Sequence, residues 1–338
     1  MKRIQLQHFA PILLLVFIFG ACQIKPEANT ISTATEKIEI PETQSTDVQG
    51  EPSNQEEVET VSFTQTPRSE EETGEGIVEL EATPDLRLDP TDWKNWPIVP
   101  AISANSLEIY KEGISMGNNP THFSKVGDCQ NVISLFLGDF DNGWYRLGDE
   151  YEDLQEVIDY YEGSWGRDSM AVKGGFNVAS VLNPMFANQE YCEINETPLA
   201  CEFRIYQPSV ALISMETWGI YDDPTKYEYY MRKVLNEVIS EGVLPILATK
   251  ADNLEGDYVI NQAIARLAYE YDIPMWNFWA AANPLPDNGL STEDHFHLTV
   301  GLGNYFDDPD NFVAAWPVRN LTALQTIGAV YNAIQNIE

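Results

Sequence analysis

Two short stretches, far apart in the sequence, carry residue types that could act together on an acyl group. Near the C-terminus, Asp294 stands three residues before His297. That spacing lets the carboxylate hold one imidazole nitrogen and leaves the other nitrogen to take a proton. Cys129 follows an apolar stretch that begins at Phe123 and ends in a turn at Gly127. A nucleophile directly after a strand has an exposed side chain and backbone N–H groups nearby, so the two stretches predict a nucleophile, a base and a residue that orients the base.

The order and spacing of these stretches resemble the SGNH/GDSL hydrolase family, whose chain opens with Gly-Asp-Ser and closes with Asp-x-x-His. Cys129 stands where that family has its serine. A family glycine that donates its N–H to an oxyanion is expected in the segment 173–177, which gives that role to Gly175 and makes Asn177 a replacement amide. The family's Gly-x-Asn-Asp motif is absent, because the sequence reads Glu-Thr-Trp-Gly at 216–219, with Trp218 in its place. The resemblance covers roughly residues 120–338.

Several of these residues have a second interpretation. Cys129 is a nucleophile in place of serine, the relic of a lost nucleophile, or a structural thiol. His297 is otherwise a surface histidine, and Asn177 otherwise belongs to the turn formed by the preceding glycine pair. Trp218 either forms an aromatic wall for a sugar ring or acyl chain, or it only packs in the core.

A zinc site is a further alternative for the histidines, since His295 and His297 alternate and could share a metal with a third ligand. The third histidine would be His122. It lies at the start of the strand that ends near Cys129, on the opposite rim of the sheet. We therefore predict no metal and no cofactor.

The N-terminal 22 residues have the features of a bacterial lipoprotein signal. Lys2 and Arg3 precede an apolar run over residues 12–19, which is too short to span a bilayer as a mature helix. The run ends in small residues before Cys22, which resembles a lipobox in which that cysteine is lipidated. The alternative is an ordinary signal peptide. We expect a bacterial envelope protein, held outside the cytoplasm by a lipid anchor.

Composition divides the rest of the chain into a tether and one domain. Residues 23–90 are rich in Glu, Thr, Ser and Pro and cannot bury enough apolar surface to fold, so they predict a disordered acidic tether. Residues 91–338 are rich in Trp and Tyr and are long enough for one core. The formal net charge of the whole chain is −34, which makes nucleic acid an unexpected partner.

The cysteine count predicts one disulfide. Cys192 and Cys201 flank a polar, turn-rich segment and lie close in sequence. In an oxidising compartment they are expected to pair, which leaves Cys129 with its thiol. A thiol left over in a secreted protein is either buried or reactive. The polar residues around Cys129 favour reactivity.

Hydrophobic periodicity predicts alternating strands and helices. Strands are expected over 208–215, 243–248 and 273–278, and helices over 227–240, 258–271 and 318–337, the last with Pro317 near its first turn. This alternation indicates a three-layer, doubly wound α/β fold with a mostly parallel sheet, as in SGNH hydrolases and flavodoxin-like proteins. Ligands of such sheets bind at the carboxyl ends of the strands, where Cys129, Asp294 and His297 can meet.

The sequence therefore favours an extracytoplasmic esterase or acyl-transfer hydrolase of altered or reduced activity. In this hypothesis Cys129 attacks the acyl carbon, His297 moves the proton, Asp294 orients His297, and the N–H groups of Gly175 and Cys129 hold the oxyanion. The substrate would be a small-molecule or glycan ester. The main alternative is a surface lipoprotein that keeps the scaffold and binds glycan without catalysis. A solute-binding lipoprotein is a third hypothesis, which the single domain and the Asp-x-x-His ending disfavour.

Overall fold

The computed structural model of the protein describes residues 87–215 and 224–336. Its strands are β1 (Asn119–Gly127), β2 (Tyr145–Arg146), β3 (Pro208–Ser214), β4 (Leu244–Ala248), β5 (Met275–Trp276) and β6 (Asn304–Tyr305). Its α-helices are α1 (Ala104–Met116), α2 (Asp139–Asn142), α3 (Gln155–Tyr160), α4 (Pro198–Tyr206), α5 (Pro224–Ser240), α6 (Val259–Tyr271), α7 (Phe278–Ala282) and α8 (Ala315–Gln335).

The main sheet is parallel and has the order β1-β3-β4-β5. Beside the outer edge of β1, Val172 forms a parallel bridge with Gly127, and the N–H of Lys173 donates to the Gly127 carbonyl at 3.3 Å. If this segment is counted as the second strand, the sheet has the flavodoxin-like order 2-1-3-4-5. The predicted fold class, a mostly parallel α/β sheet, is confirmed.

Two apolar cores cover the two faces of this sheet. On one face Phe123, Leu212 and Trp276 pack in a cluster that includes residues of α3 and α8. On the other face Val126 and Ile213 pack in a cluster that includes residues of α5 and α6. Every residue of β3 and β4 is buried, which explains why the sequence of these strands is a continuous apolar run.

The predicted strand β4 is observed although it contains Pro245. The proline is tolerated because β5 pairs with β4 only from Leu247 onward, so its missing N–H removes no hydrogen bond to β5.

Some helices and strands begin or end at residues other than the predicted ones. The strand predicted over 273–278 contains only Met275 and Trp276, since the side chain of Asn277 accepts from the N–H of Ala280 and starts α7. The last helix begins at Ala315, three residues before the predicted start.

A two-stranded parallel sheet lies outside the main one. Tyr145 of β2 pairs with Asn304 of β6. The buried side chain of Asn304 donates to Asp139 at 3.0 Å and accepts from Asn320 of α8 at 2.8 Å. These bonds connect the segment after His297 to α2 and α8.

The predicted signal, the lipidated Cys22 and nearly all of the tether lie outside the described residues. Within the ranges that are described, no helix has both the length and the apolar character needed to cross a bilayer. The lipid anchor therefore stays a prediction.

The predicted disulfide between Cys192 and Cys201 is confirmed. Cys201 is fully buried in α4, and Cys192 belongs to the loop that precedes this helix. Cys129 is not disulfide-bonded and is partly exposed. The bond fixes the loop to α4, next to the buried Glu202.

The side chain of Lys125 in β1 is buried, with 1% of its surface exposed. Its Nζ donates to the carbonyl of Trp165 at 2.5 Å. Burial, together with the positive charge of Arg167, lowers the pKa of Lys125 to about 7, although Asp141 and Asp168 act in the opposite direction. The unfolded chain keeps an ordinary lysine and therefore binds one more proton between pH 7 and the usual lysine pKa.

This burial predicts a pH-dependent stability difference between the native chain and Lys125→Met. The native chain should gain stability relative to the variant as pH rises through 7 toward 10, by at most about 1.4 kcal/mol per pH unit, and the difference should be flat below pH 7. Urea unfolding at several pH values measures it. Lys111→Met, at an exposed position of α1, is the matched control and should show no such slope. A pH-independent difference for Lys125→Met would contradict the prediction.

Candidate active site

The imidazole of His297 is held by the carboxylate of Asp294. Their Nδ1 and Oδ2 atoms are 2.5 Å apart. The other carboxylate oxygen accepts from the N–H groups of Phe296 at 3.1 Å and His297 at 3.0 Å. Nε2 of His297 has no hydrogen-bond partner in the described part of the chain, and about half of the side chain is exposed. This is the arrangement of a base with one nitrogen oriented and the other available.

The pKa of Asp294 is shifted by this arrangement. Burial acts to raise the pKa, but the bonds from the side chain and N–H of His297 and from the N–H of Phe296 outweigh it and lower the pKa to about 2. Asp294 is therefore ionised throughout the range in which a histidine titrates. Its charge stabilises the imidazolium that proton uptake by His297 would create.

A closed loop presents these two residues. Leu290 and Leu298 form an antiparallel bridge and are both buried, which fixes the base of the loop. Inside it, the N–H of Ser291 donates to the His297 carbonyl at 2.7 Å. Directly after the loop, Thr299 Oγ1 accepts from the N–H of Ala315 at 2.9 Å and so caps α8. The segment that carries the histidine is thus connected to the first residue of α8.

Cys129 begins a short 3₁₀ turn at the carboxyl end of β1. The buried Asp128 starts this turn, since its Oδ1 accepts from the N–H of Gln130 at 3.0 Å. The side chain of Gln130 reaches the histidine loop and donates through Nε2 to the Phe296 carbonyl at 3.3 Å. The residue after Cys129 therefore contacts the residue before His297, and the two predicted halves of the site lie against each other.

The predicted oxyanion segment lies on the other side of Cys129. A Cβ placed on Gly174 would be 3.9 Å from the Cβ of Cys129. Gly175 has a φ of +85°, in the region that favours glycine. Within the described residues, the N–H groups of Gly174 and Gly175 have no hydrogen-bond acceptor. Backbone donors next to a nucleophile are what an oxyanion hole requires, and this role for Gly175 stays a prediction.

Asn177 has a clear local role. Its Oδ1 accepts from the N–H groups of Ala179 and Ser180 and from the Ser180 hydroxyl, each at 3.0 Å, so it caps the 3₁₀ turn that follows. The predicted use of its amide as an oxyanion donor is not tested by this geometry. Trp218 lies outside the described residues, so its predicted place at the site stays a prediction.

His122 lies near the amino end of β1, far from the loop that carries His295 and His297. Its ring stacks on Tyr206 with centroids 4.1 Å apart, Nδ1 is 2.8 Å from the Tyr206 carbonyl, and Nε2 is 3.0 Å from the Asn119 amide. Both ring nitrogens are thus occupied away from the carboxyl ends of the strands. His122 cannot complete a metal site with His295 and His297.

Sequence reasoning missed the buried polar groups that hold the site together. Asn131 donates to the Ser214 carbonyl at 2.8 Å and connects the Cys129 turn to the end of β3. Ser214 Oγ accepts from the fully buried Arg319 of α8 at 2.6 Å. Ser214 and Asn131 could have been found from the sequence, because each is a polar residue at or just after the end of an apolar strand. Nothing in the pattern of α8 indicates that Arg319 is buried.

A second buried network supports the oxyanion segment. Glu202 of α4 is fully buried, forms an ion pair with Arg167, and accepts from Ser124 of β1 at 2.5 Å. Its second oxygen accepts from the N–H of Met170 at 2.8 Å. Glu202 therefore fixes the chain a few residues before Gly174 and Gly175.

Comparison with known proteins adds little to this geometry. No protein-family model matches the sequence, and no curated protein matches it. Among solved structures, the chain is similar to the crystal structure of an acetyl xylan esterase, at 14% sequence identity and a TM-score of 0.35, over 63% of this chain and 99% of that chain. A likeness at that TM-score assigns neither a fold nor an activity to this chain.

Gly127 and Gly174 form a matched pair for testing the Cys129 turn. A Cβ on Gly127 would be 1.9 Å from Nδ2 of Asn131 and 2.6 Å from the Ser214 carbonyl oxygen, whereas a Cβ on Gly174 meets only an ordinary contact. Gly127→Ala should therefore destabilise the fold by about 1–3 kcal/mol or more, and Gly174→Ala should have little effect. Denaturant unfolding of the two variants measures this. Equal stabilities would contradict the tight packing at Gly127.

Proposed function

We propose that this chain is an extracytoplasmic esterase or acyl-transfer hydrolase, anchored by a lipid on Cys22, that acts on ester-linked acyl groups of small molecules or surface glycans. The observation that carries the proposal is the oriented His297–Asp294 pair in contact with the turn of Cys129. In the sheet order 2-1-3-4-5, successive strands are added on one side of β1 and then on the other, so the switch point lies between β1 and β3. Ligands of such sheets bind at the carboxyl ends of these two strands. Cys129 directly follows β1.

The first half of the reaction forms a thioester. Nε2 of His297 takes the proton of the Cys129 thiol, and the thiolate attacks the acyl carbon. The negative charge that develops on the carbonyl oxygen is stabilised by backbone N–H groups, for which Gly174 and Gly175 are candidates. When the tetrahedral intermediate collapses, the C–O bond breaks and the alcohol leaves with the proton from His297.

The second half releases the acid or transfers the acyl group. His297 takes a proton from water, which attacks the thioester carbonyl, and the Cys129 sulfur leaves as a thiolate that recovers its proton from the imidazolium. An acceptor alcohol in place of water gives acyl transfer with the same proton movements. Asp294 stays ionised through both halves, because its pKa is about 2.

The nucleophile prediction concerns Cys129→Ala and His297→Ala. Each change should abolish the turnover of aryl acetates, since the first removes the attacking atom and the second removes the base. Steady-state rates measure turnover, and an acyl-type covalent probe followed by peptide mapping should label Cys129 in the native chain. Lys111→Met on α1 is a surface control. A native chain no faster than buffer, with no label at Cys129, would favour the glycan-binding lipoprotein without catalysis.

A separate prediction concerns the orienting role of Asp294. Asp294→Asn keeps the shape of the side chain but removes the charge that holds Nδ1 of His297, so kcat should fall on the order of 10²-fold to 10⁴-fold with little change in KM. Asp287→Asn, on an exposed turn before the same loop, is the matched control. A loss confined to KM would mean that Asp294 binds substrate and does not orient the base.

A further inference from the structure

A cavity of about 840 Å³ lies away from Cys129, beyond β5. Trp93 of the first 3₁₀ turn and Trp279 of α7 form part of its wall. The cavity belongs to the same carboxyl edge of the sheet as the candidate active site, because Trp279 donates its N–H to Thr249 after β4, and Asn277 after β5 donates to the carbonyl of Trp93. Its volume is in the range of small-ligand sites.

Lys94 is an exposed residue that lines this cavity and places its ammonium group near three aromatic rings. Its Nζ is 4.2 Å from the ring centroid of Tyr258, 5.3 Å from that of Trp279 and 5.7 Å from that of Trp93. The three rings also contact one another, with Trp93 and Trp279 4.9 Å apart. Within the described residues, no carboxylate forms an ion pair with Lys94. Aromatic faces therefore hold this cation in place without neutralising its charge.

The other polar groups of the cavity complete an anion-binding surface. Arg266 contributes a guanidinium whose Nη2 forms an ion pair with Glu228 at 2.9 Å; within the described residues its other nitrogens have no hydrogen-bond partner. The one carboxylate of the lining, Asp92, accepts from Asn95 at 2.5 Å. Lys94 and Arg266 thus lie in one cavity of a chain with 53 acidic and 19 basic residues, and of the two only Arg266 has an ion-pair partner among the described residues.

The remaining lining indicates what kind of anion fits. The amide side chains of Asn95, Gln262 and Asn283 line the cavity and offer both donors and acceptors, which suit hydroxyl groups. A simple inorganic anion would fill only a small part of the volume. A ligand with one carboxylate and several hydroxyls matches both the cations and the amides.

We propose that this cavity binds a carboxylate-bearing sugar residue of a glycan, with its carboxylate on Lys94 and Arg266. The site does not require Cys129 to be a nucleophile. Neighbouring strands are about 4.8 Å apart, so three strand spacings separate β1 from β5 by roughly 14 Å. The cavity is lined by residues of α6 and α7 next to β5, so it lies at least about that far from the Cys129 turn. A single sugar in the cavity does not reach Cys129, whereas a short oligosaccharide spans the distance.

The test is calorimetric titration of the purified chain with a trimer of galacturonic acid and with the neutral galactose trimer. The acidic trimer should bind and the neutral one should bind at least tenfold more weakly. Lys94→Met should weaken the acidic trimer about tenfold to a hundredfold, because a charge-assisted contact is lost while the thioether still packs on the rings. Lys94→Arg should restore binding, and Lys111→Met should have no effect.

Two results would overturn the proposal. Equal binding of both trimers, unchanged in Lys94→Met, would mean that the cavity does not recognise a carboxylate. No binding of either trimer at millimolar concentration would mean that the cavity is not a sugar site. An aryl acetate bound at Cys129 is too short to extend into the cavity. The turnover of aryl acetates should therefore be the same in Lys94→Met and in the native chain. Failure of the binding test is therefore distinguishable from failure of the proposed esterase activity.

Discussion

The close approach of three backbone segments at Gly127 is the constraint on which the site depends. On one side the carbonyl of Gly127 accepts from Lys173, and on the other side the residue pairs with Ser214 of β3. The side chain of Asn131 folds back into the space that a Cβ would fill. Because glycine leaves this space open, the chain can turn sharply after β1 and expose Cys129 while Asp128 stays buried.

Buried charged groups help to fix the loops around this turn. Glu202 holds the chain before Gly174 through Arg167 and the N–H of Met170, and Arg319 holds the end of β3 through Ser214. Such groups are costly to bury, and breaking one partner leaves the other charge uncompensated. Because both carboxylate oxygens of Glu202 are bonded, the position of the chain before Gly174 is restricted, which suits a site that needs fixed geometry.

The sequence predicts most of the sheet and one half of the site. Continuous apolar runs give β3 and β4, because both strands are buried on two faces, and the three-residue spacing of Asp294 and His297 gives their contact, because it is local. The segment at Val172 that pairs with β1 is not predicted, because a single bridge residue produces no hydrophobic periodicity in the sequence. The burial of Lys125 and Glu202 is missed for a different reason: their partners come from distant segments that no local pattern brings together.

The bond between Gln130 and Phe296 joins residues that are 166 positions apart. Closing a loop of that length has an entropic cost, which the contacts of the folded sheet and of α8 must offset. A chain made from its N-terminus exposes the thiol of Cys129 well before His297 exists. The contact between the turn of Cys129 and the loop of His297 is thus a property of the finished fold.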